Sequence, residues 1–383
     1  MRVKFKKSLC LALALLTFLT VLVACKNAAP QLNDRAVSHE EKFGGIYVEI
    51  AIDDFNALGF AFGDSLTVTF SNGYVLDDLP YYSGYYTDTG EPLLVGYPGY
   101  PYVRAGINNG DDLWNIAGLT TSDTATIKLK QRAKYLDVQQ AMDIHYTDEQ
   151  GEIPDIVFAN FRAVNSVAAL KENVLYRSAS PVDNSHNRAH VVDGLISGKV
   201  NTIVNLSDDD AEIAAHIAKD DFDSPYFLSV YEGGGVIALS MSMNYKEERV
   251  DGSDKQIFSD KLVAGLRFML DREGPYLVHC VEGKDRTGFV CMVVEALVGA
   301  TYDEMVADYM ITYDNYYGIN LRDEPSKYSL IKQKNIDEIL RTIIGEEDVA
   351  IETADYASRC EAYLISKGMT RQEVVALREK LAK

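Results

Sequence analysis

The spacing of the hydrophobic residues changes near residue 150, and this change constrains the fold more than any other feature. Before that point, short runs of β-forming residues are separated by Gly, Asn and Asp. Three of these runs are Ile46–Ile50, Leu66–Phe70 and Thr126–Leu129. After it, apolar runs as long as buried strands alternate with stretches of helical spacing, which is typical of α/β domains. We therefore expect a small all-β domain at residues 44–150 and an α/β domain at residues 155–383.

The α/β part should contain a sheet of buried strands and at least one buried helix. Its apolar runs of strand length are Thr202–Leu206, Gly235–Leu239 and Tyr276–His279. Phe289–Leu297 is apolar on nearly all sides, so a helix there should be central. Thr301 and Thr370 each precede a glutamate by three residues, a spacing that caps the start of a helix. We expect a central, mostly parallel sheet flanked by helices, with a helical C-terminal part.

The charge and the cysteine content exclude some functions. The chain has a formal net charge of −20, and such a surface repels nucleic acid and anionic lipid headgroups. We therefore expect no nucleic-acid partner. The cysteines are too few and too scattered for a disulfide framework; they are Cys10, Cys25, Cys280, Cys291 and Cys360. Cys291 and Cys360 lie in apolar helical stretches and should be inert core residues.

The N-terminus has the pattern of an export signal. Residues 1–24 begin with basic residues and continue as an apolar run slightly shorter than a membrane-spanning helix, which suits a signal peptide. Leu22-Val23-Ala24-Cys25 resembles the lipobox of bacterial lipoproteins, in which the cysteine is diacylated and becomes the new N-terminus. This resemblance implies lipidation at Cys25, a tether over residues 25–43, and an extracytoplasmic protein anchored to the cell membrane. The alternative is an ordinary signal or an uncleaved anchor with a chance cysteine.

A stretch of consecutive residues carries the chemistry: His279-Cys280-Val281-Glu282-Gly283-Lys284-Asp285-Arg286-Thr287-Gly288. Its Cys-x5-Arg-Thr skeleton resembles the signature loop of the cysteine-dependent tyrosine phosphatase superfamily. The full stretch resembles the bacterial tyrosine phosphatase branch, which includes secreted and lipid-phosphate-active members. Further similar segments extend the resemblance over roughly residues 155–320; they are Ala159–Arg162, Leu175–Ser178, Asn201–Leu206 and Asp308-Tyr309. The resemblance implies a phosphatase domain that forms a cysteinyl-phosphate and needs no cofactor or metal.

The residue types in this stretch suit phosphate chemistry. The spacing of Cys280 and Arg286 lets the intervening amides converge on one point, which a helix starting near Arg286 also faces with its positive dipole end. That environment holds phosphate and favours the thiolate of Cys280, the expected nucleophile. Arg286 can bind two oxygens of the transition state, and Thr287 can donate its hydroxyl to the sulfur. The expected phosphate-binding residues are Val281, Glu282, Gly283, Lys284, Thr287 and Gly288.

The general acid stays open between several carboxylates. Asn205 and Ser207 stand where the family usually has Asp and Arg, so an acid proposed as the donor in relatives is missing here. Asp285 lies inside the loop beside Arg286, where it could protonate the leaving oxygen or brace the loop. Asp208 follows a buried strand and is favoured as the substitute for the missing acid. The remaining candidates, ranked behind these two, are Asp209, Asp210, Asp251 and Asp254.

These features favour a protein-tyrosine-phosphatase-like phosphomonoester hydrolase that is exported and tethered to a membrane. Its partner would be a phosphorylated protein or a lipid or inositol phosphate. One alternative is a phosphoinositide or inositol phosphate phosphatase, because Lys284 adds a cation to the loop that could contact a second phosphate. Another is a surface protein that binds a phosphorylated ligand without turnover, although the presence of both Cys280 and Arg286 argues against it.

Overall fold

The computed structural model describes most of the chain and divides it into two compact units. The described residues are 29–147, 151–249, 255–345 and 348–383. The first unit, the barrel unit, contains most of the described residues up to Gln139. The second, the α/β unit, contains those from Gln140 to Lys383 together with the short segments Asp88–Glu91 and Asn108–Asp111.

The barrel unit is built around a closed sheet of seven strands. They are Gln31–Glu40 (β1), Gly45–Val48 (β2), Ser65–Phe70 (β3), Val75–Tyr82 (β4), Pro92–Val95 (β5), Val103–Ile107 (β6) and Thr124–Gln131 (β7). The order around the barrel is β1-β2-β6-β5-β4-β3-β7, with β4 and β5 parallel and the other neighbours antiparallel. Side chains such as Ile46, Leu66 and Ile127 fill its core, as the β-forming runs predict.

The expectation of an all-β region is right for the barrel but misses three short helices. They are Ile52–Ala57 (α1), Leu113–Ala117 (α2) and Leu136–Met142 (α3). In α2, the Asp112 carboxylate accepts the N–H of Trp114 at the start, and Gly118 ends the helix with a φ of 61°. Helices this short are too brief to show a helical period in the sequence, so only their caps could have revealed them.

Residues 31–40, expected to be part of a tether, instead form β1 and close the barrel against β7. Leu32 and Val37 are buried there. Between them the pairing with β7 shifts register, and Asp34 takes a positive φ of 47°. This bulge breaks the strict alternation by which a strand is recognised, which is why the sequence pattern missed β1.

The α/β unit contains a mixed sheet of five strands. They are Arg162–Ala163 (β8), Leu175–Ser178 (β9), Thr202–Asn205 (β10), Val236–Ala238 (β11) and Tyr276–His279 (β12). Their order is β11-β10-β12-β9-β8, in which β8 runs antiparallel to β9 and the other neighbours are parallel. The strands expected at Thr202, Val236 and Tyr276 are confirmed. His279 pairs with both Asn205 and Ser178, so the segments that follow β12, β10 and β9 emerge at one edge of the sheet.

Helices make up most of the rest of this unit, which confirms the expected α/β organisation. They are Asp155–Phe158 (α4), Ala189–Ile196 (α5), Asp210–Ile217 (α6), Pro225–Glu232 (α7), Phe258–Leu270 (α8), Asp285–Val298 (α9), Tyr302–Tyr317 (α10), Pro325–Ile331 (α11), Glu338–Ile344 (α12), Tyr356–Ser366 (α13) and Arg371–Leu381 (α14), with a π-helical turn at Lys332–Asp337 and a 3-10 turn at Ile351–Thr353. Thr301 and Thr370 form the expected capping boxes of α10 and α14. Within the described part of the chain, no helix is long and apolar enough to cross a membrane.

Helix α9 is the buried helix that the sequence predicts. Every residue from Thr287 to Val298 is buried. The helix begins at Asp285, directly after the loop that leaves β12, and ends at Gly299, whose φ is 90°. Because α9 is enclosed from Thr287 onward, the start of the helix and the preceding loop are fixed at the sheet edge.

Candidate active site

The loop Cys280–Lys284 connects β12 to α9 and depends on one glycine. Gly283 has a φ of 67°, in the left-handed region. A Cβ at this position would lie 2.1 Å from the carbonyl oxygen of Ser178, at the end of β9. No other residue fits this close approach, so Gly283 is needed for the loop to curl against the sheet.

The loop is anchored by its carbonyl groups. Ser180 N–H donates to the Val281 carbonyl at 3.0 Å, the Tyr316 hydroxyl donates to that of Glu282 at 2.7 Å, and Arg177 Nη2 donates to those of Gly283 and Lys284 at 2.9 and 3.3 Å. Because these carbonyls are bound by neighbouring elements, we expect the loop N–H groups to face the opposite side, the interior of the curl. Converging amides of this kind form a concave site for an anion, and the N-terminus of α9 adds its positive dipole end.

A buried ion-pair network supports this anchoring. Arg177 Nη1 lies 2.5 Å from Asp308 Oδ2, and Arg162 Nε lies 3.0 Å from Asp308 Oδ1. Asn160 accepts a hydrogen bond from Arg162 at 2.6 Å and donates to Thr312 at 3.0 Å. Burial alone would raise the pKa of Asp308, but Arg162 and Arg177 outweigh it and lower that pKa to about 2. Three of the segments named by the sequence resemblance, Ala159–Arg162, Leu175–Ser178 and Asp308-Tyr309, are therefore linked through this network to the loop.

Cys280 lies at the bottom of the curl with a thiol that ionises readily. The residue is 3% exposed. Burial raises the pKa of this thiol, but the Arg286 guanidinium and hydrogen bonds from the Thr287 hydroxyl and backbone outweigh it, so the pKa is below its ordinary value. Among the described residues the buried Thr287 hydroxyl has no other partner. The sulfur is therefore favoured as the thiolate, the form that attacks phosphorus.

Arg286 and Gly288 occupy the first turn of α9. Arg286 Nη1 donates to the carbonyl of Met241 at 3.3 Å, which links the arginine to the segment after β11. A Cβ at Gly288 would lie 2.3 Å from the ring of Tyr309 on α10, so glycine allows α10 to pack directly on this turn. The geometry keeps the guanidinium beside the thiol, where it can bind oxygens of a phosphoryl group.

The side chains of Lys284 and Asp285 contact other charged side chains and tyrosine hydroxyls. Lys284 Nζ lies 3.4 Å from Glu282 Oε2 and 3.8 Å from Asp285 Oδ2, and it donates to the Tyr317 hydroxyl at 3.1 Å. Burial lowers the pKa of Lys284, but Asp285 and Glu282 outweigh it and raise the pKa well above its ordinary value. The Asp285 side chain is 45% exposed and accepts one hydrogen bond, from the Tyr309 hydroxyl at 3.3 Å.

Asp208, by contrast, is enclosed by partners. The Asn205 amide and the Ser207 hydroxyl donate to its Oδ2 at 3.0 and 2.8 Å, and His216 Nε2 lies 3.5 Å from its Oδ1. Its side chain is 7% exposed. Both oxygens are engaged, so the side chain braces the turn after β10. Asn205 and Ser207, the two departures from the family pattern, thus form a local network with Asp208.

The other carboxylates of the sequence analysis have separate places. Asp209 caps α6 by accepting the N–H of Glu212. Asp210 accepts a hydrogen bond from the Tyr231 hydroxyl at 2.9 Å. Both are therefore occupied in structural contacts. Asp251 and Asp254 lie outside the described residues.

Cys291, Cys360 and His279 are also buried. Cys291 on α9 and Cys360 on α13 are fully buried, and burial raises the pKa of Cys291 to about 12 and that of Cys360 further still. This confirms the prediction that they are core residues. Burial lowers the pKa of His279 to about 4, so the ring is neutral. Its Nδ1 lies 3.4 Å from the Cys280 carbonyl.

Sequence reasoning missed three groups that shape the site. They are the backbone of Ser180, the carbonyl of Met241 and the hydroxyl of Tyr316. Ser180 and Met241 contribute only backbone atoms, which leave no trace in residue identity. Tyr316 is one of several tyrosines on α10, and no sequence signal distinguishes it. In the part of the chain that the structure describes, no group of three or more His, Cys, Asp or Glu side chains could hold a metal ion.

A cysteine after a buried strand, an amide-lined loop and an arginine in the next helical turn define a cysteine-dependent phosphatase site. The chain belongs to the tyrosine phosphatase family, a family of phosphoric monoester hydrolases, whose model matches residues 157–383. It is similar to the triple specificity protein phosphatase PtpB of Mycobacterium tuberculosis (strain ATCC 25618 / H37Rv), with 51% identity over 41 residues. That match covers 11% of this chain and only 15% of the relative.

A comparison with solved structures found a further match. It is the core catalytic domain of the PP-IP phosphatase SIW14 from S. cerevisiae in complex with citrate. The identity is 19% and the TM-score 0.24, over 45% of this chain and 88% of that chain.

Proposed function

We propose that the chain hydrolyses phosphomonoesters through a cysteinyl-phosphate intermediate. The observation that carries this is the buried Cys280, with its lowered pKa, at the bottom of the amide-lined loop and beside Arg286. In the first step the sulfur attacks phosphorus, the bond to the leaving oxygen breaks, and a proton from a general acid reaches that oxygen. In the second step water attacks phosphorus and gives a proton to the conjugate base of the general acid, the S–P bond breaks, and inorganic phosphate is released as the thiolate re-forms.

The loop and Arg286 act on the charge that develops during these steps. The inward-facing amides and the start of α9 bind the equatorial oxygens, and the planar guanidinium can bind two of them at once. Because these groups are fixed by the carbonyl anchors, they need no rearrangement during reaction. Thr287 stabilises the sulfur as it leaves the phosphoenzyme, since its hydroxyl already faces the thiol.

Asp285 is the general acid that we favour over Asp208. Its side chain is partly exposed in the first turn of α9, and one hydrogen bond, from Tyr309, is the only one it accepts among the described residues. Asp208 is buried with both oxygens in contact with neighbours. A carboxyl that protonates a leaving group must reach it, and Asp285 meets this condition better.

We expect Asp285→Asn to slow hydrolysis of an alkyl phosphate about 10² to 10⁴-fold, and that of an aryl phosphate with a good leaving group far less. Only the poor leaving group needs a proton in the transition state. The measurement is kcat on the two substrates for wild type, Asp285→Asn and the matched variant Asp208→Asn. Equal losses on both substrates for Asp285→Asn would rule it out as the donor. A selective loss for Asp208→Asn would assign the role to that residue.

A second candidate is hydrolysis of phosphates on inositol or phosphoinositide headgroups. Lys284 favours it, because a charged ammonium beside the loop can contact a second phosphate on the same ring. A panel of phosphopeptides, inositol phosphates and phosphoinositides, assayed for phosphate release, distinguishes the two substrate classes. If the wild type releases phosphate neither from any member of this panel nor from a generic aryl phosphate, the result would favour a binding protein without turnover.

The arrangement of the α/β unit also supports a finer description of its fold. We infer that its sheet is the central, mostly parallel layer of the unit. Strands β10 and β12 are buried along their whole length, which is expected for strands covered on both faces.

We also propose that the protein is exported and tethered to the outer face of a membrane through Cys25. The support is the sequence alone, since residues 1–28, with Cys25, lie outside the described residues. A diacylated cysteine provides two or more acyl chains, which suffices for stable anchoring where one chain is marginal. Mass spectrometry of the mature N-terminus should find a lipid-modified Cys25. An unmodified Cys25, or an N-terminus at another residue, would disprove lipidation.

A further inference from the structure

Helix α10 carries a column of three tyrosines that faces the catalytic loop. Tyr309, Tyr313 and Tyr317 are four residues apart, a spacing that places side chains one above the other on a helix. Their neighbouring ring centroids are 5.9 and 5.6 Å apart, and all three are buried. We call these three residues the tyrosine ladder.

The two ends of the tyrosine ladder hold the two charged side chains at the end of the loop. At one end, the Tyr309 hydroxyl donates to Asp285 at 3.3 Å. At the other end, Lys284 donates to the Tyr317 hydroxyl at 3.1 Å, and its Nζ lies 5.4 Å from the centre of the Tyr317 ring. The middle member contributes its ring, since the Tyr313 hydroxyl instead accepts a hydrogen bond from Asn335 at 2.7 Å.

The contacts of Lys284 keep its ammonium group charged and restrict its orientation. An ammonium has three N–H donors. Two acceptors lie within 3.5 Å of Lys284 Nζ, the hydroxyl of Tyr317 and the carboxylate of Glu282. The third N–H can then serve a substrate oxygen. Without the Tyr317 hydroxyl, the long side chain would keep only its carboxylate partners and more rotational freedom, and the ammonium would be less well placed.

We propose that Tyr317 is a positioning residue that fixes Lys284 for substrates carrying a second phosphate next to the one that is hydrolysed. The proposal rests on the proposed function, because it assigns the specificity of that same site. The ligand chemistry is a pair of neighbouring phosphates on one ring, and either a soluble inositol phosphate or a lipid headgroup provides it.

The experiment compares kcat/KM of the full chain on a soluble inositol bisphosphate with neighbouring phosphates and on p-nitrophenyl phosphate. For Tyr317→Phe, the ratio of the two values should fall about ten-fold, because one hydrogen bond to a charged group is lost. The loss should lie in KM for the bisphosphate, since the second phosphate does not react. Lys284→Met should lose the same selectivity, and the double variant should lose no more than Lys284→Met alone.

The matched control is Tyr313→Phe, which removes a hydroxyl from the same ladder that does not bind Lys284. It should keep the ratio within about two-fold. Equal losses on both substrates for Tyr317→Phe, or additive losses in the double variant, would show a structural role and overturn the proposal. The matching phosphoinositide in phosphatidylcholine vesicles is the third substrate. A loss of activity confined to the vesicles would mean that Tyr317 acts on the lipid surface and not on the second phosphate. That result would also overturn the proposal.

A binding measurement separates this proposal from the proposed function. In the Cys280→Ser background, calorimetry gives the affinities for the inositol bisphosphate and for inorganic phosphate without any turnover. Tyr317→Phe should again lower their ratio about ten-fold. An unchanged ratio overturns the positioning role of Tyr317. A lowered ratio in a chain that hydrolyses no phosphomonoester supports that role and overturns only the proposed function.

Discussion

Cys280→Ser should reduce phosphomonoester hydrolysis on the order of 10³-fold or more while leaving binding of a phosphate analogue such as vanadate nearly intact. The serine hydroxyl has a far higher pKa than a thiol, so the environment that lowers the pKa of Cys280 cannot ionise it. The anion cradle, by contrast, is made of backbone amides and Arg286, which the substitution leaves in place. The two measurements are kcat and the vanadate affinity of the same protein.

Two further variants show whether the effect belongs to the nucleophile. Cys360→Ser is the matched control, because Cys360 is buried on α13 and its Sγ donates to the Val293 carbonyl at 3.3 Å, a bond that serine can also make. It should keep most of the activity. Arg286→Ala should lose both hydrolysis and vanadate binding, since it removes charge from the cradle itself. A Cys280→Ser enzyme that retains more than a few per cent of the wild-type rate would contradict the proposed mechanism.

The chemistry of the site could be predicted from the sequence because it is concentrated in one short segment. Cys280, Gly283 and Arg286 act through their spacing in a single loop, and a backbone that must curl needs glycine where φ is positive. The strand before the loop, β12, and its neighbour β10 are short, mostly apolar and fully buried, so their positions are also evident from the hydrophobic pattern. Local patterns of this kind survive in the sequence without any knowledge of the tertiary structure.

Features that depend on distant contacts could not be predicted in the same way. Strand β1 is hidden because the bulge near Asp34 interrupts its alternation. Asp208 follows a buried strand, as a catalytic acid would, but its engagement by Asn205 and His216 is visible only once the turn after β10 is folded. Tyr317 lies more than thirty residues from Lys284, and no spacing rule connects a helical tyrosine with a loop lysine.

The second large effect is expected in stability, from Asp308→Asn. Asp308 is 1% exposed and is the shared partner of Arg162 and Arg177. Removing one member of a buried ion pair costs about 3 to 5 kcal/mol, because the remaining charge is left buried without compensation. For a unit of this size the unfolding temperature should fall on the order of 10 °C, measured by calorimetry. Hydrolysis should fall as well, since Arg177 also holds the Gly283 carbonyl.

The pH dependence of stability identifies the ion pair as the cause. The pKa of Asp308 is lowered to about 2, so its ionised form stabilises the fold at neutral pH, and this contribution is lost as pH falls from about 4 to about 2. The difference in unfolding free energy between wild type and Asp308→Asn should therefore shrink as pH falls from about 4 to about 2. Asp303→Asn, an exposed position on the same helix, is the control and should cost less than about 1 kcal/mol. A difference between wild type and Asp308→Asn that stays the same down to about pH 2 would mean that the loss comes from packing and not from the charge of Asp308.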